Sequence, residues 1–320
     1  MRWLVLRIAA GWACGGFVLA LVNGAIAAER PPARAPGPQT LATLGYVCVP
    51  LQRTAEGHLY ARARINGRRC VALVDTGWSF TTLAAQKANR VFKIAARGAQ
   101  ADALIERLDL AKHSFPNQPA RVEPLLFDGQ PASFDCVLGL DFLRRHYALL
   151  DCARGRLYLR FGAPTAPEAR RLETLLHECG FDAVPLSFDT PPALTVRAHI
   201  NARPVDMLVD SAAVWSVLDP RELERLGLRA EPTLARLTGA GSTGTRPVLV
   251  AEAPSLTLES ARLRSPRFAV MALADWGMAS PHAPLPHVGG ILGSPELRAL
   301  EALVDCHGLK LHLRPRQSNR

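Results

Sequence analysis

The chain states one pattern twice, and no other feature limits its fold as strongly. Gly45-Tyr46-Val47-Cys48-Val49-Pro50-Leu51 returns as Gly180-Phe181-Asp182-Ala183-Val184-Pro185-Leu186. Arg64-Ile65-Asn66 returns as His199-Ile200-Asn201, and Leu73-Val74-Asp75-Thr76-Gly77 as Leu208-Val209-Asp210-Ser211-Ala212, each pair 135 positions apart. Further on, Val137-Leu138-Gly139 and Leu150-Asp151-Cys152 return as Ile291-Leu292-Gly293 and Val304-Asp305-Cys306, now 154 apart. A constant offset over so many landmarks marks a duplicated unit. The change of offset places 19 extra residues inside the second copy.

A chain of 320 residues suits two such units, each of ~120–140 residues. Residues 1–28 read as a signal peptide, 29–39 as a Pro-rich tether, 40–163 as the first repeat, 164–178 as a linker helix and 179–314 as the second repeat. Within the repeats the local signals are those of strands. Leu59 to Ile65 alternates, Asn66-Gly67 makes a hairpin turn, and Cys70 to Val74 climbs to the first Asp. Leu194 to Ile200, Asn201-Ala202 and Val205 to Val209 repeat this in the second unit. Each unit adds one helical stretch, Asp141 to Tyr147 and Pro295 to Leu303, and a closing hairpin turning at Arg154-Gly155 or near Gly308. Glu168 to Glu178 predicts the linking helix, with Leu172, Leu175 and Leu176 on one face. The expected architecture is mostly β in two similar halves, with few short helices.

Hydrophobic residues make up 48% of the chain, which excludes a disordered protein. The net charge of +10 raises the question of a nucleic-acid partner. The basic residues are dispersed and only Lys87, Lys93, Lys112 and Lys310 are lysines, so no nucleic-acid partner is expected. At the N-terminus, Arg2 and Arg7 precede an uncharged stretch from Ile8 to Ala28, and Ala25-Ile26-Ala27 offers a cleavage site. This predicts an exported protein, periplasmic or secreted, with no membrane span after cleavage. An uncleaved anchor is the other reading of the segment, since about 20 apolar residues can span a bilayer. Apart from Cys14, the cysteines are Cys48, Cys70, Cys136, Cys152, Cys179 and Cys306, an even set that export would oxidise to disulfides of unspecified pairing. No histidine spacing suggests a metal; His282 and His287 lie in a Pro-rich loop and read as solvated.

The chemistry rests on what the duplication doubled. A carboxylate at the end of an apolar strand is ordinarily a turn residue. Two of them, Asp75 and Asp210, stand at equivalent points of equivalent units. A pseudo-twofold relating the units would bring both to one axis. Carboxyls meeting there cannot both ionise, so the pair would hold one shared proton, one member acting as base on a water and the other polarising a carbonyl. Thr76 and Ser211 could bond across the axis, and Gly77 and Ala212 are small enough for two backbones to approach.

At these residues the chain resembles the retropepsin-like aspartic proteases, fused as a tandem of two halves in one polypeptide. The matching elements are Asp75-Thr76-Gly77 followed by Ser79, Thr81 and Leu83, and Asp210-Ser211-Ala212 followed by Ser216 and Leu218. The segments Leu138 to Leu143 and Leu292 to Leu297 match as well. The resemblance implies two closed β-barrel-like domains around a pseudo-twofold, a cleft between them, and hydrolysis of an extended peptide or protein substrate. It implies catalytic Asp75 and Asp210, supported by Thr76, Gly77, Ser211 and Ala212, with neither metal nor organic cofactor. A monomer is expected, because both half-sites lie in one chain. Thr238 to Gly244 reads as a flap covering substrate, with Gly239, Ala240, Gly241 and Ser242 at its tip; the first unit has only Ala96-Arg97-Gly98-Ala99 there. The chain departs from the family pattern at Ala212, at Trp78, at Val214 where the first unit has Ser79, and at Pro295 where it has Asp141. Ala212, Trp78 and the missing first flap define the alternative, a protease fold that binds peptides without turning them over.

Overall fold

The computed structural model describes residues 35–95, 101–127, 130–189, 192–237, 246–273, 279–280, 283–284 and 287–314. The signal segment, most of the tether and the expected flap tip therefore lie outside the described residues. The first half runs α1 (Pro38–Ala42), β1 (Val47–Pro50), β2 (Gln52–Arg53), β3 (Leu59–Ile65), β4 (Arg68–Val74), β5 (Thr82–Ala84), α2 (Ala85–Ala88), β6 (Ala101–Leu110), β7 (His113–Glu123), β8 (Leu126–Phe127), β9 (Gln130–Pro131), β10 (Cys136–Leu138), α3 (Leu140–Arg145), β11 (Leu149–Asp151) and β12 (Arg156–Leu159). After α4 (Ala166–Glu178) come β13 (Asp182–Pro185), β14 (Ser187–Asp189), β15 (Ala193–Ile200), β16 (Arg203–Val209), β17 (Val217–Leu218), α5 (Pro220–Leu226), β18 (Ala230–Leu237) and β19 (Arg246–Glu252). The chain closes with β20 (Ser255–Leu258), β21 (Ala261–Arg264), β22 (Arg267–Val270), β23 (Ala279–Ser280), β24 (Ala283–Pro284), β25 (Val288–Leu292), α6 (Ser294–Ala299), β26 (Leu303–Asp305) and β27 (Lys310–Leu313). The fold is mostly β, with few and short helices.

Local sequence explains the strands. In β3 buried and outward residues alternate, and Asn66 and Gly67 both take positive φ (48° and 79°), the turn that matches strand twist. Asn201 and Ala202 take the same form between β15 and β16, at φ 51° and 59°. Helix α4 starts on a capping box, Thr165 accepting from the Glu168 N–H while the Glu168 carboxylate accepts from Thr165. It buries Leu172 and Leu176 against Leu41, Leu44, Tyr46, Leu149, Tyr158, Phe181 and Leu303. Leu175 is only partly buried at that face.

Three large sheets organise the molecule. In the first half β3, β4, β10, β5, β7 and β6 follow in order, and β6 pairs back onto β3, closing a barrel with β2 at its margin. In the second half a ten-stranded sheet runs β18-β19-β22-β17-β25-β16-β15-β20-β21, with β14 pairing β15. The third sheet, β1-β12-β11-β26-β27-β13, takes three strands from each half. At its centre Leu150 pairs with Val304, flanked by Leu149↔Asp305 and Asp151↔Leu303. Leu150 and Val304 are equivalent positions, so the pairing is symmetric about a point between them.

Several expectations need adjustment. Helices α3 and α6 begin one residue earlier than predicted and end sooner, and the last two tether residues, Pro38 and Gln39, belong to α1. Helix α5 was not anticipated. All six described cysteines are thiols, in place of the disulfides that export would favour. Geometry explains one case: the Cys152 N–H donates to Ala302 O and the Cys306 N–H to Ala148 O, which sets the two thiols at opposite ends of the β11–β26 pair. No helix among the described residues is long and apolar enough to cross a membrane.

Candidate active site

Each aspartate is delivered by the same construction. Strand β4 ends at Val74 beside the parallel β10, with Val74 opposite Leu138, and the Asp75 N–H donates to Leu138 O at 3.1 Å. Strand β16 ends at Val209 opposite Leu292 of the parallel β25, and the Asp210 N–H donates to Leu292 O at 3.0 Å. The Gly after each partner strand lets the chains cross. A Cβ on Gly139 would stand 2.8 Å from Trp78 O, and one on Gly293 2.6 Å from Trp215 O.

The two loops interlock. Thr76 N–H donates to Ser211 Oγ at 3.1 Å, and Ser211 N–H to Thr76 Oγ1 at 2.9 Å. The Thr76 hydroxyl donates to Val209 O (2.8 Å) and the Ser211 hydroxyl to Val74 O (3.1 Å). Both hydroxyls and both backbone N–H groups of the two residues are thus used across the axis, in a fully buried setting where such bonds are costly to lose.

Held this way, the two carboxyls lie within hydrogen-bonding reach of each other. Asp75 is 2% exposed and Asp210 0%. Asp75 Oδ1 accepts from the Gly77 N–H at 2.8 Å; Asp210 Oδ1 accepts from the N–H groups of Ala212 and Ala213, both at 2.8 Å. Asp210 Oδ2 is buried and takes no other hydrogen bond, which leaves a proton shared with Asp75 as its partner. Burial first, then the Asp210 charge, push Asp75 well above the usual carboxylate range. Burial lifts Asp210 to about 6, while the N–H groups of Ala213 and Ala212 and a bond from Asp75 pull the other way. Two buried carboxyls this close do not both ionise readily, so the pair holds one proton between them and titrates as a unit.

Of the residues singled out from sequence, Asp75, Thr76, Gly77, Asp210, Ser211 and Ala212 converge here. Gly239, Ala240, Gly241 and Ser242 lie outside the described residues, as does the first-half segment from Ala96 to Ala99. The strands leading to and from the expected flap, β18 and β19, pair as a hairpin. Trp78 is buried, its Nε1–H donating to Thr82 Oγ1 at 2.8 Å, and it packs with Leu73, Ala84 and Val137 in a cluster that also takes in Ala212 and Ala213 of the second half. Ala212 keeps the N–H that a glycine would offer. His287 faces Asp189 at 3.6 Å, and His282 is outside the described residues. Among the described residues no three His, Cys, Asp or Glu side chains converge as a metal site.

Sequence reasoning missed His58, buried just before β3 near the Ala212 backbone, where burial holds its ring below the usual histidine range. It also missed Ser294 and Glu296 on α6, because the repeat offset draws the eye to Pro295.

A family model described as Aspartyl protease matches residues 196–295, so the second half carries an aspartyl-protease-like domain. No curated protein matches the chain. Among solved structures it is similar to basic 7S globulin from soybean (11% identity, TM-score 0.47, 84% of this chain and 95% of that one). It is similar in the same degree to conglutin gamma, a basic 7S globulin from lupine seeds (11%, 0.47, 85% and 95%). A retropepsin-like aspartic protease from Rickettsia conorii matches at 22% identity and TM-score 0.27 over 36% of this chain and 90% of that one.

Proposed function

We propose that the chain is an exported, single-chain aspartic endopeptidase of tandem retropepsin-like form, with Asp75 and Asp210 as its catalytic pair. The observation that carries this reading is the meeting of two buried carboxyls from equivalent loops, with one oxygen of Asp210 left for a shared proton. Asp210, ionised first, acts as base: it takes a proton from a water whose oxygen attacks the substrate carbonyl carbon. Asp75 donates its proton to the carbonyl oxygen, giving a neutral tetrahedral diol. The proton now on Asp210 passes to the amide nitrogen, the carbon–nitrogen bond breaks, and Asp75 recovers a proton from the diol. Thr76 and Ser211 hold the pair rigid, so reorganisation during the reaction is small.

Export rests on the N-terminal segment, monomeric action on the presence of both aspartates in one chain, and substrate covering on residues 239–242. The test is to incubate the purified mature protein with a peptide library beside Asp75→Asn and Asp210→Asn. Cleavage by the parent alone, indifferent to chelators, is expected. Full cleavage by either variant, or loss of cleavage with a chelator, overturns the reading. Peptide binding without cleavage by the parent would assign a binding module instead.

A further inference from the structure

The second half lacks two polar groups that brace the first. In the first half, Ser79 Oγ donates across to Pro192 O at 2.8 Å, tying the loop after Asp75 to the opposite half. The equivalent position is Val214, which has no hydroxyl. Asp141 Oδ1 accepts from the Thr81 N–H (2.7 Å), the Thr81 hydroxyl (2.8 Å) and the Phe142 N–H (2.7 Å). Thr81 Oγ1 in turn receives the Gly139 N–H at 3.4 Å. The equivalent of Asp141 is Pro295, which supplies neither a carboxylate nor the N–H that Asp141 gives to Ser79 O at 3.2 Å.

Both missing groups are replaced from the opening residues of α6. The carbonyl equivalent to Pro192 O is that of Gly57, 135 positions earlier, and it receives the Ser294 hydroxyl at 3.4 Å. Arg53 Nη1 secures the same carbonyl at 2.9 Å. The hydroxyl equivalent to that of Thr81 belongs to Ser216, and it donates to Glu296 Oε2. Ser216 Oγ accepts the Gly293 N–H at 2.8 Å, closer than its first-half counterpart. Glu296 sits one residue beyond the repeat-aligned position, where its extra methylene restores the reach that the shift removes.

We propose that Glu296, acting through Ser216, is a positioning residue for Asp210, and that Ser294 restores the brace lost at Val214. The inference rests on the proteolytic reading of the same site. A continuous path leads from Glu296 to the dyad. Ser216 anchors the Gly293 N–H; the preceding Leu292 carbonyl holds the Asp210 N–H at 3.0 Å. The following Ser294 N–H holds Ala213 O at 2.7 Å, and the Ala213 N–H donates to Asp210 Oδ1 at 2.8 Å. Loosening Ser216 therefore loosens both the carbonyl that holds the Asp210 N–H and the backbone that holds Ala213, one of the two N–H donors to the Asp210 carboxyl. Burial of Glu296, opposed by the Ser216 hydroxyl and its own N–H, raises its carboxyl to about 7. The carboxyl can hold Ser216 in either ionisation state, because a carboxylic acid and a carboxylate both pair with a hydroxyl.

The test compares Glu296→Ala, Glu296→Gln, Ser216→Ala and Ser294→Ala with the parent. Three readouts are taken: thermal midpoint, kcat and KM on a cleaved peptide, and 13C titration of the Asp75 and Asp210 carboxyls. Glu296→Ala and Ser216→Ala should lower kcat by about tenfold or more at little change in KM, and raise the lower dyad pKa. Glu296→Gln, which keeps the bond to Ser216, should recover most of the loss. Ser294→Ala should lower kcat more weakly and in the same manner. Stability loss with kcat and the dyad titration unmoved in Glu296→Ala overturns the proposal, as does a Gln variant no better than Ala. If Glu296→Ala does not fold, Ser216→Ala, which removes a single oxygen, decides alone. If the parent cleaves nothing, the carboxyl titration decides, since it reads the Asp210 environment whether or not turnover occurs.

Discussion

Gly77 lies so close to Asp210 that a Cβ added to it would stand 2.5 Å from the Asp210 Cγ and 2.7 Å from Oδ2. Its equivalent, Ala212, already carries a methyl group in a buried site. The two positions are therefore not interchangeable. Gly77→Ala should abolish cleavage and lower the thermal midpoint. Ala212→Gly should fold, cost about 1 kcal/mol or less and keep cleavage. Equal tolerance of both changes in a melting and cleavage assay would contradict this geometry.

Thr76→Ala leaves the Ser211 N–H without its acceptor and the Val209 carbonyl without its donor, both buried. Two such losses should cost about 2–4 kcal/mol in denaturant unfolding. Thr76→Ser keeps the hydroxyl and should recover most of that stability.

Cleavage needs one proton on the pair. Below the point where Asp210 ionises, at about 6, both carboxyls are protonated and no base exists. Activity should rise with pH along an acid limb centred near pH 6, reported as a property of the dyad. Asp75, held higher by burial and by Asp210, sets the alkaline limb. A kcat/KM profile already flat from pH 3 upward would refute this ordering.

Glu296 makes a separate prediction about stability. Its folded-state carboxyl is raised from 4.5 to about 7 by burial, so the folded protein holds its proton more tightly than the unfolded chain. The associated stability is complete below pH 4.5 and is lost as pH rises through 7. The loss is on the order of 3 kcal/mol. Glu296→Gln cannot titrate, so its urea midpoint should fall less than the parent's between pH 4.5 and pH 8.

The dyad and its cross-axis bonds could be read from sequence because the repetition doubled them at a fixed spacing. Thr76 and Ser211 announce each other by position alone. The α6 residues could not be read that way. Counting places Pro295 against Asp141, and the compensating carboxylate lies one residue further along the helix, where a longer side chain reaches the same hydroxyl. His58 was hidden because it meets the site beside backbone, which no side-chain pattern marks. Helix α5 could have been anticipated: Asp219 caps it, Pro220 opens it and Gly227, at φ 67°, ends it. The strand rhythm around it drew attention elsewhere. The cysteines were read by compartment, which favours disulfides, whereas the ladder itself keeps the Cys152 and Cys306 thiols apart.

Strands β11 and β26 lie side by side at the middle of the shared sheet, each covering an edge that its own half cannot cover. A nick within α4 would therefore yield two fragments, each with a bare, apolar strand margin. Co-produced, they should find one another and rebuild the ladder; produced singly, each should stick to copies of itself.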